Sequence, residues 1–203
     1  LEESGANKHL RRPAFEMSLF GTGVMKGPFA LDKEYPNWDA EGKYDPTFKT
    51  TPQISHVSVW NFYPDPDSTN IDQAQYVIER HKMSRTELRS LKRRPFFREN
   101  VIESVIMDGE NYVKKYWEDD LTDYNQENYV ERFEVFEYWG MIDTTMLEEQ
   151  EVDIPKELQD FDELQANIWV CGGRVLRAVL NPFKPAKIPY MAAPVSYTHL
   201  RAH

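Results

Sequence analysis

The chain reads as an α+β protein, mixed helices and antiparallel strands, and three local patterns carry that reading. Ser84-Arg85-Thr86-Glu87 is a capping box: the Ser84 hydroxyl can accept from the Glu87 amide while the Glu87 carboxylate reaches back to the Ser84 amide. Residues 132–142 alternate charged and apolar side chains, the period of a strand. Two β-type runs, 168–171 and 175–180, are separated by Gly172-Gly173, which fits a two-residue hairpin turn.

From the amino end, residues 1–20 predict a helix whose Phe15, Leu19 and Phe20 offer a short apolar face, ended by Gly21 and Gly23. Residues 24–30 predict a short strand interrupted by Gly27 and Pro28. Residues 32–52, with Pro36, Gly42, Pro46 and Pro52, predict a long loop or hairpin anchored by Tyr35, Trp38, Tyr44 and Phe48. A loop of that length in a compact domain is usually functional or leans on a partner.

Two β-type runs, 55–63 and 74–82, then flank a turn. Pro64 and Pro66 fix φ and remove two backbone donors, so the first run cannot continue as a central strand. Asp65, Asp67, Ser68 and Asn70 supply acceptors for Asx-type turns, which predicts a rigid, solvated connection.

The capping box opens a helix over 85–94. Arg85, Arg89, Lys92 and Arg93 share one face of it, with Leu88 and Leu91 directed to the core, and Pro95 stops it. A second helix, 98–107, buries Val101, Ile102, Val105 and Ile106. Residues 111–131 are acidic and tyrosine-rich without a clear period. The strand at 132–142 is expected to shift face between Val135 and Phe136. Residues 144–162, interrupted by Pro155, predict an exposed helix-loop insertion, and the prolines at 182, 185, 189 and 194 an extended exit. No internal repeat or low-complexity linker is present.

With 203 residues the chain can form one domain, or one domain with an extended arm. Cys171 is the single cysteine, in an apolar run, which suits a buried small hydrophobe in a reducing compartment. No apolar stretch approaches the ~20 residues needed to span a bilayer, so no membrane partner is expected. The net charge of −10 argues against nonspecific grip on nucleic acid, which needs clustered Lys and Arg. Its distribution says more. Residues 79–98 hold eight Arg and Lys against two Glu, a net of +6, and residues 118–163 hold seventeen carboxylates against Arg132 and Lys156, a net of −15.

No constellation of residues points to an enzyme. His9, His56 and His81 lack ligand or triad spacing, and Gly21-Thr22-Gly23 followed by Gly27 is neither a dinucleotide fingerprint nor a phosphate loop. Asp65, Asp67 and Asp72 suggest a calcium loop only weakly, since the glycine and closing Glu of an EF-hand loop are missing. The sequence therefore names no catalytic, cofactor-binding or metal residue. It does name Arg85, Arg89, Lys92 and Arg93 as a contact face, for nucleic acid or for the acidic segment of an adjacent copy. Head-to-tail rings join two different, complementary surfaces, and Trp60, Phe62, Tyr63, Trp117 and Trp139 include aromatics suited to interfaces.

Several stretches in one order carry a family resemblance: VSVWNFYPDPDS followed by QYVIERHKMSRTEL, then FEVFEYWGMID at 133–143, then RVLRAVLNPFKPAKIPYMAAP at 174–194. They resemble portal proteins, the head-to-tail connectors of tailed double-stranded DNA bacteriophages, in particular the short-tailed type. The resemblance covers residues 15–194 and implies one wing-like region over 1–194, ending before stem and clip. It implies a structural virion protein, assembled in the host cytoplasm as a homo-oligomeric ring, a dodecamer in the family, at one capsid vertex. Such a ring forms the channel through which double-stranded DNA is packaged and ejected. Its partners are the terminase motor, capsid or scaffold proteins and tail adaptors, and no cofactor is implied. Two rivals stand beside it: an unrelated acidic structural or adaptor domain that binds a basic protein, and a metal-dependent hydrolase using the 65–72 aspartates.

Both ends carry expectations of their own. Leu1 and the helical pattern behind it suggest a fragment. The last residues, VSYTHLRAH, resemble a translated sequencing adapter, so 195–203 are expected to be a non-native tail.

Overall fold

The structure, a computed structural model, describes residues 6–113 and 131–194. It is an α+β fold whose strands are joined antiparallel in two sheets. Contacts divide the described residues into two units. The first holds those up to Phe62, Thr69–Ile71 and those from Pro189 onward; the second holds Tyr63–Ser68 and Asp72–Ile188.

The first unit contains helix α1 (Ala6–Phe20) and a three-stranded sheet ordered β2-β1-β8, from β1 (Thr22–Tyr35), β2 (Thr47–Val57) and β8 (Tyr190–Pro194). The apolar face expected on α1 is not its buried face: Phe15 is 63% exposed and Leu19 59%. The helix instead turns inward Pro13, which is buried, and Glu16, whose carboxylate accepts from the Val59 amide at 3.1 Å and lies 3.1 Å from His56 Nε2. A β-carbon on Gly23 would stand 2.4 Å from the Pro13 carbonyl oxygen, so the helix rests on β1 only because residue 23 lacks a side chain.

Gly27 and Pro28 do not interrupt β1. The strand runs through them, and a register shift between Lys26 and Phe29 absorbs the residues that cannot pair regularly. Gly27 gains a bond outside its own hairpin, donating its amide to the Pro189 carbonyl at 2.8 Å. The predicted loop 32–52 is mostly this hairpin, closed by a bridge between Trp38 and Tyr44 and by Asp39 accepting from the Glu41 and Lys43 amides. Of its aromatics Trp38, Tyr44 and Phe48 are exposed. The predicted extended exit ends as a real strand, β8, paired along β1 from Lys26↔Tyr190 to Thr22↔Pro194. Pro194 is tolerated there because β8 is an edge strand.

The second unit is built on a five-stranded antiparallel meander in the order β3-β4-β5-β6-β7. These are β3 (Phe62–Pro64), β4 (Tyr76–Ser84), β5 (Arg132–Asp143), β6 (Glu163–Cys171) and β7 (Arg174–Leu180). The run 55–63 is thus not one strand: β2 ends at Val57, a 3₁₀ turn fills Val59–Asn61, and β3 belongs to the other sheet. The turn beyond it is also less solvated than expected. Asp65 is buried, and its two carboxylate oxygens accept from the Asp67 and Gln75 amides, both at 3.0 Å.

The capping box forms as read, with Ser84 N donating to Glu87 at 2.7 Å and Glu87 N to Ser84 Oγ at 3.3 Å. It starts α2 (Arg85–Ser90), which tightens into a 3₁₀ turn over Leu91–Arg93 rather than continuing as one helix to 94. Helix α3 (Glu99–Asp108) follows. Leu88, Leu91, Ile102, Val105 and Ile106 are buried against Phe133, Val135, Trp169, Cys171 and Leu176, so α2 and α3 cover one face of the sheet. Burial of side chains this size contributes roughly 1.5–3 kcal/mol each.

No face shift occurs in β5. Phe133, Val135, Glu137 and Trp139 are all buried in strict alternation, with Phe136 and Tyr138 on the other face. The segment 144–162 does contain a helix, α4 (Thr144–Glu149), capped by Asp143. It is not merely an exposed insertion: Leu147 and Ile154 are buried with Leu164 and Ala166 in a second apolar cluster. By strand alternation, that cluster lies on the sheet face opposite α2 and α3. Gly172 and Gly173 have φ of 56° and 74°, the left-handed pair that a type I′ turn requires, and join β6 to β7 as predicted. The reading of 111–131 falls largely, and Trp117 and the 195–203 tail wholly, outside the described residues. No described helix is long and apolar enough to cross a membrane.

Candidate functional site

Strand alternation puts an unexpected set of polar groups on the helix-covered face. On β4, Val77, Glu79, His81 and Met83 share one parity; on β5, Phe133, Val135, Glu137 and Trp139 do. The register sets Glu79 directly across from Glu137, and Trp169 across from Glu137 on the other side. Both carboxylates are buried, Glu137 to 3% exposure.

Glu137 and His81 are held by groups outside the cluster. Trp139 Nε1 donates to Glu137 Oε1 at 2.7 Å, and Asn167 Nδ2 donates to the same oxygen at 3.4 Å. Asn167 is oriented in turn by Trp169 Nε1, which donates to its Oδ1 at 3.1 Å. The other carboxylate oxygen, Glu137 Oε2, lies 2.9 Å from His81 Nε2. The His81 ring is stacked on Trp169, with centroids 4.9 Å apart and planes 6° from parallel. Its Nδ1 is 3.7 Å from Glu79 Oε1, an ion-pair distance too long for a hydrogen bond. Donor atoms of Glu79, His81 and Glu137 all lie within 4.8 Å of one another, so these three residues are positioned to hold a cation.

Arg177, opposite Trp169 on β7, is the nearby basic group. Burial holds its guanidinium below the usual arginine range, and the charge of Glu137 works against that. It lies over the Phe97 ring, 5.4 Å from the centroid.

The opposite sheet face has a shallow groove of about 550 Å³ over Ile78, Phe136, Tyr138 and Val170, rimmed by Arg80 and Glu134, which pair at 2.6 Å. Burial pushes the Tyr138 hydroxyl up to about 12, and it donates to the Met141 carbonyl at 2.7 Å.

The four basic residues named from the sequence lie together around α2, but three of them have partners inside the chain. Arg85 makes a forked pair with Glu131, at 2.6 and 3.0 Å. Lys92 pairs with Glu103, and Arg89 is 3.7 Å from the same carboxylate. Arg93 is exposed. Of the histidines, His56 meets Glu16 and His81 belongs to the buried cluster; Cys171 is buried, and that burial pushes its thiol up, away from a reactive thiolate. Among the described residues the aspartates 65, 67 and 72 form no cluster with other candidate ligands; Asp65 accepts from backbone amides.

Sequence reasoning passed over Glu79, Glu137, Asn167 and Arg177. One signal was available: in F-E-V-F-E-Y-W, Glu137 has the parity of Phe133, Val135 and Trp139, a carboxylate on an apolar face. Comparison with protein-family models and with curated proteins finds no match for the chain.

Proposed function

We propose that this chain is part of a portal subunit, a structural protein of a ring at the capsid vertex of a tailed phage, rather than an enzyme. The observation that carries the reading is that portal-like stretches supply, in sequence order, four strands of one sheet. FYP, YVIERHKMS, RFEVFEYWGMID and RVLRAVL are β3, β4, β5 and β7 of one meander, with β6 lying between the last two. The outer ends of two stretches, VSVWN and PYMAAP, belong to the first unit. The exposed aromatics Trp38, Tyr44 and Phe48 on the β1–β2 hairpin add support, since large exposed apolar groups mark surfaces that meet a partner.

The basic face is the proposed contribution of α2 to ring contacts, with Arg93 and the outer sides of Arg85, Arg89 and Lys92 facing acidic residues of a neighbour. Because three of the four are already paired in the chain, their surplus attraction is smaller than a net of +6 suggests. Exposed pairs contribute only ~0–1 kcal/mol each, are screened by salt, and recur at every interface of a ring.

The test is assembly of the complete gene product, followed by mass photometry and electron microscopy across a salt series. Closed rings with a central channel are expected, weakening as salt rises and in the Arg89→Glu, Arg93→Glu double variant. A product that stays monomeric at every salt concentration overturns the portal reading. Capture of a basic protein by that monomer turns the assignment to an acidic adaptor.

A further inference from the structure

We propose that Glu79, His81 and Glu137 form a binding site for one divalent first-row transition-metal ion on the helix-covered face of the five-stranded sheet. Nothing in the portal reading calls for such a site, and the inference stands apart from it.

The first argument is the placement of like charges. A pair of glutamates directly opposite on neighbouring strands repel, and here both are buried, where the loss of water raises the cost of each charge. A cation between them removes that cost. The His81 ring lies between the two, with Nε2 2.9 Å from Glu137 and Nδ1 3.7 Å from Glu79. Arg177, across β6 beyond Trp169, lies over the Phe97 ring and also feels the charge of Glu137.

The second argument is ligand chemistry and reach. Two carboxylates and an imidazole are a donor set for zinc, manganese or iron, and the nitrogen ligand selects against the hard ions magnesium and calcium. Ligands at ~2.1 Å in a tetrahedral site stand roughly 3.4 Å apart. The three donors here lie within 4.8 Å of one another, at most about 1.4 Å beyond that spacing.

The third is preorganisation by groups that are not ligands. Trp139 and Asn167 hold Glu137 Oε1, leaving Oε2 toward the site, and Trp169 both stacks on His81 and orients Asn167. Such outer hydrogen bonds aim a ligating carboxylate and fix its partner ring. A path from solvent exists as well, because the His81 side chain is 21% exposed and that of Glu79 11%. Three protein ligands leave a further coordination position for water.

The experiment uses the full chain without an affinity tag, stripped with chelator at neutral pH. Calorimetric titration with Zn²⁺ is expected to give one ion per chain at micromolar affinity or tighter, with a rise in melting temperature. Ca²⁺ and Mg²⁺ at the same concentrations are expected to do neither. His81→Gln and Glu79→Gln, each checked by circular dichroism, should weaken binding at least about tenfold, the scale seen for lesser changes around metal sites. Should either variant fail to fold, the wild-type chain still decides the matter: on adding Zn²⁺ the His81 ring resonances should shift while those of His56 stay in place. Absence of Zn²⁺ binding, affinity unchanged in both variants, or unshifted His81 resonances overturns the site.

Discussion

Glu79 and Glu137 stand directly opposite each other across β4 and β5, both buried on the face that α2 and α3 cover. Glu137 also accepts from Trp139 and Asn167 and meets His81, so it is the group on which the polar part of this core converges. Removing it leaves an indole N–H and an amide without their acceptor. Glu137→Ala is therefore expected to lose about 3–5 kcal/mol, the range for breaking a buried ionic network on one side. Glu137→Gln, which keeps an oxygen for Trp139 and relieves the repulsion from Glu79, should lose clearly less. Urea unfolding of the two variants measures this. Equal losses would mean that the carboxamide cannot replace the carboxylate and that the charge itself is what the core requires.

The α2 start offers a test in acid. Hydrogen bonds from the Ser84 amide and hydroxyl hold the Glu87 carboxyl below its ordinary value of 4.5. A depressed carboxylate contributes stability that is present above the unfolded value and lost as pH falls through the folded one. Ser84→Ala should cost about 1 kcal/mol at pH 7 by removing the cap. The stability gap between wild type and Glu87→Gln should shrink steadily as pH drops below 4.5. Thermal melts at stepped pH check it, and a gap that widens in acid has the wrong sign for this explanation.

Leu88 is fully buried among residues of α3 and of the sheet. Leu88→Ala should cost about 2–5 kcal/mol through lost transfer energy and a residual cavity. The exposed Met107 at the end of α3, changed to Ala, should cost under ~0.5 kcal/mol. Chemical denaturation of both variants provides the comparison, and similar losses would mean that α2 does not sit on the sheet as described.

Gly140 pairs with Tyr76 at the start of β4. A β-carbon there would lie 2.4 Å from the Gln75 carbonyl oxygen and 2.6 Å from the Tyr76 β-carbon. Gly140→Ala must push β4 away from β5 and disturb the Tyr76–Tyr138 stack, whose centroids are 5.9 Å apart. The expected result is a loss of about 1–3 kcal/mol, as for overpacking elsewhere, with slower exchange protection lost at the Met141 amide, which donates to Gln75 at 3.0 Å. Hydrogen exchange reads that amide directly; full protection in the variant would rule the steric account out.

What the sequence by itself determined is local. Ser84 and Glu87 are three residues apart, so their cap forms from neighbours alone, and it set the phase that sends Leu88 and Leu91 inward. Gly172-Gly173 determined a hairpin because only glycine takes two left-handed conformations in succession at little cost. Alternation along 133–139 assigned the parity of β5, although the expected face shift at Phe136 does not occur. Tertiary structure decided whatever depends on distant partners. Which face α2 and α3 cover made Glu137 a buried carboxylate instead of a solvated one. The pairing of β4 with β5 set it against Glu79, 58 residues away in the chain. The same holds for β8, whose proline-rich sequence reads as an exit until β1 gives its backbone a partner. On α1 the apolar residues were visible but the buried face was not, because a glycine on β1 and a carboxylate on the helix chose a different side. Register and burial are properties of pairs, and no single segment contains the second member.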